Sequence, residues 1–147
     1  MAYPERVLKA IQRAQAAVRN EAPDLALQEL QKAVAKYPKA THAWSLMGQC
    51  LVLLEDHAGA ERALTKAVAL DARHPEGWFL LGVSLGYQGR HREALDAYTR
   101  YVSLCPGRVA PPNVVQNIAA SLIEIGEYEA SIPLLKGTKN FLSHGNA

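Results

Sequence analysis

A regular internal repeat constrains the fold of this chain more than any other feature of its sequence. Its only two tryptophans, Trp44 and Trp78, are each followed by a short run that ends in glycine. The alanines Ala26, Ala60 and Ala94 are separated by the same interval as the two tryptophans. A period of about 34 residues is typical of a helical repeat array, in which each unit is one supersecondary element that buries its core against its neighbours.

The repeat divides the 147 residues into four units within a single repeat domain. Residues 109–111 are left over between the last two units and are expected to form a loop insertion. No segment has the alternation that predicts a β-strand. The predicted units are 7–40, 41–74, 75–108 and 112–145.

Each unit is expected to contain two antiparallel helices joined by a short turn. Small residues such as Gly48 and Ala60 allow the two backbones to approach, and Trp44 and Leu64 fill the space beside them. Asp56 is placed to cap the helix that follows it. The predicted helices cover residues 4–20, 24–36, 41–54, 57–70, 75–88, 91–104, 112–125 and 128–142.

This pattern resembles the tetratricopeptide repeat (TPR), a helix–turn–helix unit of about 34 residues. The resemblance implies an all-α fold, an α-solenoid of about four TPR-like repeats that forms a right-handed superhelical arc with a concave inner face. The first unit matches less fully, and in the fourth Ser131 replaces an expected alanine. The residues that carry the resemblance are Trp44, Met47, Gly48, Leu51, Ala60, Leu64 and Ala67 in the second unit, and Trp78, Leu81, Gly82, Leu85, Ala94, Tyr98 and Pro106 in the third.

The resemblance places the first helix of each unit on the concave side, where a second stripe of residues lies beside the packing stripe. This second stripe mixes apolar and amide side chains, which suit the anchoring and the backbone hydrogen bonding of a bound peptide. For Phe79 and Tyr87, packing within the core or between repeats is the alternative. The residues predicted to contact a partner are Ile11, Gln15, Gln49, Val52, Phe79, Val83, Tyr87, Asn113 and Gln116.

Some chaperone-binding TPR domains hold a C-terminal carboxylate with basic residues on this stripe. The positions that correspond here are Ile11, Gln15, Leu46, Glu76 and Leu80, none of which is basic. Glu76 would repel a carboxylate. The sequence therefore predicts against the binding of acidic chaperone tails.

Composition limits the other classes of partner. Hydrophobic residues make up 49% of the chain and charged residues 20%, so a disordered chain is not expected. Sixteen basic residues oppose fourteen acidic ones, which does not predict a nucleic-acid surface. No apolar run approaches the roughly 20 residues of a membrane span, and the first twenty residues lack the apolar core of a signal peptide. We therefore expect a cytoplasmic protein without membrane insertion.

Motifs for catalysis or metal binding are not found in the sequence. Cys50 and Cys105 have no basic neighbour in sequence that would activate a thiolate, so both are expected to be structural. His57 and His91 share one repeat position but belong to different units, which does not predict a metal site. We therefore expect no catalytic residues, no metal and no cofactor.

These patterns favour a non-catalytic protein-interaction module, such as an adaptor, scaffold or small chaperone, that binds a partner peptide or helix in the concave groove. One alternative is the N-terminal recognition module of a larger enzyme whose catalytic domain is absent from this chain. Another is a self-associating assembly protein, a homo-oligomer formed through the C-terminal helix. That helix carries more apolar residues than one partner helix would cover, namely Ile132, Leu134, Leu135, Phe141 and Leu142.

Overall fold

The computed structural model describes residues 3–134, and these residues form α-helices joined by short turns, without a β-strand. The first seven predicted helices agree with the structure to within one residue at each end. An eighth helical segment begins at residue 128 and is described as far as 134, so the rest of the predicted helix 128–142 lies outside the described residues. The helices are α1 (Glu5–Arg19), α2 (Pro23–Lys36), α3 (Thr41–Leu53), α4 (His57–Leu70), α5 (Pro75–Tyr87), α6 (His91–Leu104) and α7 (Pro112–Glu124), with a 3-10 turn at Pro106–Arg108.

Consecutive helices pack as antiparallel pairs, and the pairs stack into an α-solenoid with a right-handed superhelical arc. The first helices of successive units contact one another, α1 with α3, α3 with α5 and α5 with α7. Among residues 3–134, the second helices α2, α4 and α6 make no such contact with each other. The layer of first helices is therefore the more closely spaced one, so it lines the inner, concave side of the arc.

Glycine allows the two helices of a unit to come together. A Cβ atom added at Gly48 would overlap the side chain of Leu64, and one added at Gly82 would overlap the ring of Tyr98. Leu64 and Tyr98 are both buried, so neither has free space into which it could move. The predicted pairing of small and large residues is confirmed at Gly48 and Leu64.

The turn inside each unit uses one residue with left-handed backbone geometry. This residue is Gly89 in the third unit and Gly126 in the fourth, with φ of 77° and 84°. The equivalent positions of the first two units hold Glu21 and Glu55, with φ of 58° and 61°. After the second of these turns, Asp56 caps α4, since its Oδ1 accepts a hydrogen bond of 2.9 Å from a backbone N–H of the first turn.

The two tryptophans form hydrogen bonds at the junctions between units. The indole N–H of Trp44 donates to the carbonyl of Pro38 at 2.7 Å, and that of Trp78 donates to the carbonyl of Ala72 at 2.8 Å. Each bond connects a first helix to the loop that precedes it.

Cys50 is fully buried in the adjoining core, and burial raises the pKa of its thiol to about 11. Its side chain therefore packs as a small hydrophobic group at neutral pH.

No helix among residues 3–134 has both the length and the apolar character needed to cross a membrane.

Candidate functional site: two clefts in the concave groove

Residues 3–134 form two clefts that open on the concave face of the arc. The first, which we name the α1–α3 cleft, has a volume of about 310 Å³ and lies between the first two units, with a rim on α5. The second, the α5–α7 cleft, has a volume of about 300 Å³ and lies between the third and fourth units. The α1–α3 cleft is lined by Ile11, Gln15, Val18, Arg19, His42, Leu46, Gln49 and Glu76, and the α5–α7 cleft by Val83, Gly86, Tyr87, His91, Tyr98, Asn117, Ala120, Ser121 and Glu124.

A cluster of aromatic and imidazole rings borders the α1–α3 cleft. The hydroxyl of Tyr3 lies 3.0 Å from Nδ1 of His42, and the His42 ring meets the ring of His74 edge-on at 4.9 Å. His74 is buried, and its Nε2 has no hydrogen-bond partner within residues 3–134. Burial lowers the pKa of His74 and the nearby His42 lowers it further, against the opposing charges of Glu76 and Asp71. The neutral form of His74 is therefore the one that fits this position.

The charge around the α1–α3 cleft is balanced. Arg19 contributes one positive side chain and Glu76 one negative side chain, and Gln15 and Gln49 lie on the same wall. The two amides are one repeat apart, and neither takes part in a hydrogen bond within the described part of the chain. They are free to bond a ligand that enters the cleft.

Tyr87 forms the outer edge of the α5–α7 cleft and is 70% exposed. Its ring stacks on that of His57, with centroids 4.5 Å apart and planes inclined by 10°. Below it, Tyr98 is buried, and burial together with the nearby Tyr87 raises the pKa of Tyr98 to about 12. The polar side chain of Asn117, which lines the same cleft, opposes that rise in the pKa. The cleft thus has a neutral floor and an exposed aromatic edge.

The structure brings five of the nine predicted contact residues to the two clefts. Ile11, Gln15 and Gln49 line the first cleft, and Val83 and Tyr87 line the second. Ile11 is buried in the core, with only 9% of its surface exposed. It therefore forms part of the cleft floor and does not offer an exposed side chain to a partner.

The other four predicted residues lie outside both clefts. Val52 and Phe79 are half-buried against the core of the second and third units. The ring centroid of Phe79 lies 5.5 Å from that of Tyr101 and 6.3 Å from that of Tyr98. Phe79 therefore has the core-packing role that was the alternative to partner contact. The remaining two, Asn113 and Gln116, are exposed on α7 but are not among the cleft residues.

Several cleft residues were not predicted as contacts, and the repeat itself contained a signal for some of them. Leu46 in the first cleft and Asn117 in the second occupy the same repeat position once the three inserted residues are counted. The comparison with carboxylate-binding TPR domains already places Leu46 on the concave stripe, and the same count along the chain places Asn117 there. His91 and Tyr98 come from the second helix α6, and no periodicity within the first helices could have indicated them.

No group of three or more His, Cys, Asp or Glu side chains suited to hold a metal ion occurs within residues 3–134. The predicted structural thiol Cys105 is half-buried, and its Sγ contacts the carbonyl of Tyr101 at 3.4 Å.

Solved structures share this architecture. MamA superposes with a TM-score of 0.83 at 20% identity, over 95% of this chain and 80% of that chain. A MamA structure labelled MSR-1 has a TM-score of 0.78 at 26% identity, over 99% of this chain and 83% of that chain. The first TPR of Spaghetti (RPAP3), bound to the HSP90 peptide SRMEEVD, has a TM-score of 0.78 at 16% identity, over 85% of this chain and 99% of that chain.

No curated protein sequence matches the chain significantly. The family model of the tetratricopeptide repeat matches residues 11–72 and 54–109, which together make up more than half of the sequence. The helix pairs, the interval between Trp44 and Trp78, and this match agree on one assignment. The chain belongs to the tetratricopeptide repeat family.

Proposed function

We propose that this protein is a non-catalytic interaction module that holds a peptide or helical segment of a partner protein in its concave groove, as an adaptor, scaffold or small chaperone does. The proposal rests on the side-chain amides of Gln15 and Gln49. They lie one repeat apart on the wall of the α1–α3 cleft and form no hydrogen bond within residues 3–134. Amide groups with this spacing can donate to and accept from the backbone of a bound segment.

Apolar surface in both clefts supports the same proposal. Val18 and Leu46 contribute apolar atoms beside the two glutamines, and Tyr87 provides an exposed ring at the other cleft. A segment lying along the groove would anchor an apolar side chain in each cleft and bond its backbone to the two amides of the α1–α3 cleft. Anchoring residues of this kind contribute most of the binding free energy at protein interfaces.

The charges of the groove favour a partner segment without a cluster of acidic residues. The TPR domain of Spaghetti was solved with the peptide SRMEEVD, which is rich in acidic residues near its end. Among residues 3–134, Arg19 is the single Lys or Arg side chain that lines the α1–α3 cleft, and Glu76 opposes it. We expect an uncharged or mixed-charge segment to bind more tightly than the peptide SRMEEVD, which serves as a negative control.

A capture experiment with matched variants tests the proposal. The double variant Gln15→Ala and Gln49→Ala removes the cleft amides, and the control Gln28→Ala and Gln31→Ala removes two exposed amides of α2. Each variant and the unaltered chain serve as bait in a lysate of the source cell, with mass spectrometry for identification and quantitation. Loss of about two hydrogen bonds should reduce capture of the partner roughly tenfold for the cleft variant alone. Equal capture by all three baits would refute binding in this cleft.

Self-association is a second candidate, because two large apolar side chains are exposed near the end of the described residues. Tyr128 is 62% exposed and Ile132 is 49% exposed on the helical segment that begins at residue 128. Light scattering over a range of concentrations tests this candidate. A particle mass that rises with concentration, and that falls to one chain in Ile132→Glu, would support it; one chain at every concentration would refute it.

A further inference from the structure

A third cavity lies away from the concave groove, between α1 and α2 of the first unit. Its volume is about 360 Å³, larger than that of either groove cleft. We name it the N-terminal slot. It is lined by Arg6, Val7, Lys9, Ala10, Arg13, Glu29, Lys32, Ala33, Lys36 and Tyr37.

The repeat explains why this space is open. Ala10 occupies the position that holds Trp44 in the second unit and Trp78 in the third. Both tryptophans are half-buried between their own unit and the loop before it, and both donate an indole hydrogen bond to a backbone carbonyl. Replacing such a ring by a methyl group removes most of the side-chain volume at this place. The slot therefore corresponds to the space that an indole fills in the next two units.

A second substitution in the same unit adds charge to the opening. Arg13 stands where the following units have Met47 and Leu81, and it also lines the slot. The floor remains apolar, because Val7 and Ala33 are buried there. An apolar floor beneath a cationic rim suits an aromatic side chain better than a purely aliphatic or purely charged one.

Five basic side chains surround the slot, and most of their charge is not neutralised. Arg13 pairs with Glu29 at 3.3 Å, and Lys9 pairs with an acidic residue on its own helix at 2.9 Å. Within residues 3–134, Arg6, Lys32 and Lys36 form no ion pair. The rim therefore attracts acidic groups as well as the face of a ring.

The third unit contains a filled version of the same arrangement. The guanidinium of Arg100 lies 5.3 Å from the centroid of the Trp78 ring, within the range of a cation–π contact. Two periods earlier, the position of Arg100 is held by Lys32, which lines the slot. Lys32 therefore occupies the rim position from which Arg100 contacts the indole ring in the third unit.

We infer that the N-terminal slot binds an aromatic side chain flanked by acidic residues, supplied by a partner protein. The ring replaces the tryptophan that the first unit lacks, and the flanking carboxylates pair with the cationic rim. The C-terminal sequence of this chain does not have the required charge, because residues 135–147 contain two lysines and no acidic residue. The aromatic residue nearest the start of the described chain, Tyr3, is already engaged with His42.

Labelled synthetic peptides test the inference with the whole chain. The first peptide has one tryptophan between two pairs of acidic residues. The second has alanine in place of the tryptophan, and the third keeps the tryptophan but has amides in place of the acids. In fluorescence anisotropy, we expect the first peptide to bind at least about tenfold more tightly than either of the others, and its affinity to fall with added salt. Binding of the alanine peptide with equal affinity would mean a basic surface only and would overturn the inference, as would no binding of any peptide.

Two protein variants locate the site. Ala10→Trp fills the slot with the residue that the next two units use, and Ala35→Trp places the same ring on an exposed position of α2 as the control. Ala10→Trp should lose binding of the tryptophan peptide, whereas Ala35→Trp should retain it; equal binding by both would overturn the inference. Lys32→Glu with Lys36→Glu changes only exposed residues and should also abolish binding, so the test does not depend on how Ala10→Trp folds.

The groove variant Gln15→Ala with Gln49→Ala should bind the tryptophan peptide as the unaltered chain does. This result separates the slot from the concave groove, because failure of one proposal would leave the other standing.

Discussion

The imidazole of His57, at the start of α4, lies parallel to the phenol ring of Tyr87, at the end of α5, with ring centroids 4.5 Å apart and planes inclined by 10°. The contact joins the second unit to the third at the edge of the concave face. It also holds in place a ring that is 70% exposed and would otherwise be free to rotate. A rigid, exposed aromatic side chain loses little conformational entropy when a partner covers it.

Removal of this ring should lower stability only slightly. Tyr87→Ala is expected to reduce the free energy of unfolding by about 0.5–1.5 kcal/mol, the range of one aromatic pair, and Tyr87→Phe should leave it unchanged. Urea unfolding followed by circular dichroism measures both. Tyr128→Ala is the control, since Tyr128 is 62% exposed and stacks on no ring among residues 3–134. An equal loss in the control would show that the stacked pair adds nothing to stability.

The turns inside the units predict a stabilising substitution. Glu55 has φ of 61° in the position that Gly89 occupies with φ of 77°. A residue with a side chain loses about 1–2 kcal/mol of stability in this backbone region, whereas glycine adopts the region without steric cost. Part of the gain from glycine is offset, because glycine also raises the conformational entropy of the unfolded chain. Glu55→Gly should therefore raise the free energy of unfolding by roughly 0.5–1 kcal/mol, and Gly89→Ala should lower it by at least as much. Thermal unfolding of both variants checks the pair, and a loss of stability in Glu55→Gly would contradict the explanation.

Two helical glycines should respond in opposite directions to the same substitution. A Cβ atom at Gly48 would overlap Leu64, so Gly48→Ala should destabilise the protein by about 1–3 kcal/mol. A Cβ atom at Gly86 would meet no atom of residues 3–134 within 4 Å, so Gly86→Ala should stabilise the protein by about 0.5–1 kcal/mol through helix propensity. Chemical denaturation of both variants makes the comparison. Similar changes in both would mean that the contact with Leu64 does not limit the approach of the helices.

Acid should weaken the fold through His74. Burial lowers the pKa of this histidine in the folded protein, so the unfolded chain takes up its proton first as the pH falls below about 6.5. The free energy of unfolding should therefore decrease from that pH down to the folded-state pKa and show no further change from this group below it. Urea midpoints measured from pH 7.5 to pH 5 should fall for the unaltered chain and fall less for His74→Asn. An identical pH profile for the variant would assign the acid sensitivity to other groups.

The sequence was most informative about the positions that packing repeats. The repeat identifies Trp44, Gly48 and Leu64, because each unit needs the same small and large residues where its helices meet. Residues that contact a partner do not have to recur in every unit, so the repeat does not identify them. Tyr87 and Gln49 lie at clefts, whereas Phe79 packs on neighbouring rings, because the exposure of a stripe residue depends on how far the adjoining helices cover it.

The sequence by itself determined the helices, the repeat and the family, since these follow from local propensity and from a spacing that can be counted along the chain. Only the tertiary structure decided which surfaces stay open. The substitution of Ala10 for a tryptophan is visible in the sequence, but the resulting 360 Å³ slot depends on α1 and α2 not closing over the missing ring. The same holds for the groove, where the stacking of units leaves Gln15 exposed and buries Ile11 one helical turn away. Burial depends on how the units pack against one another, so it does not follow from the sequence of any single helix.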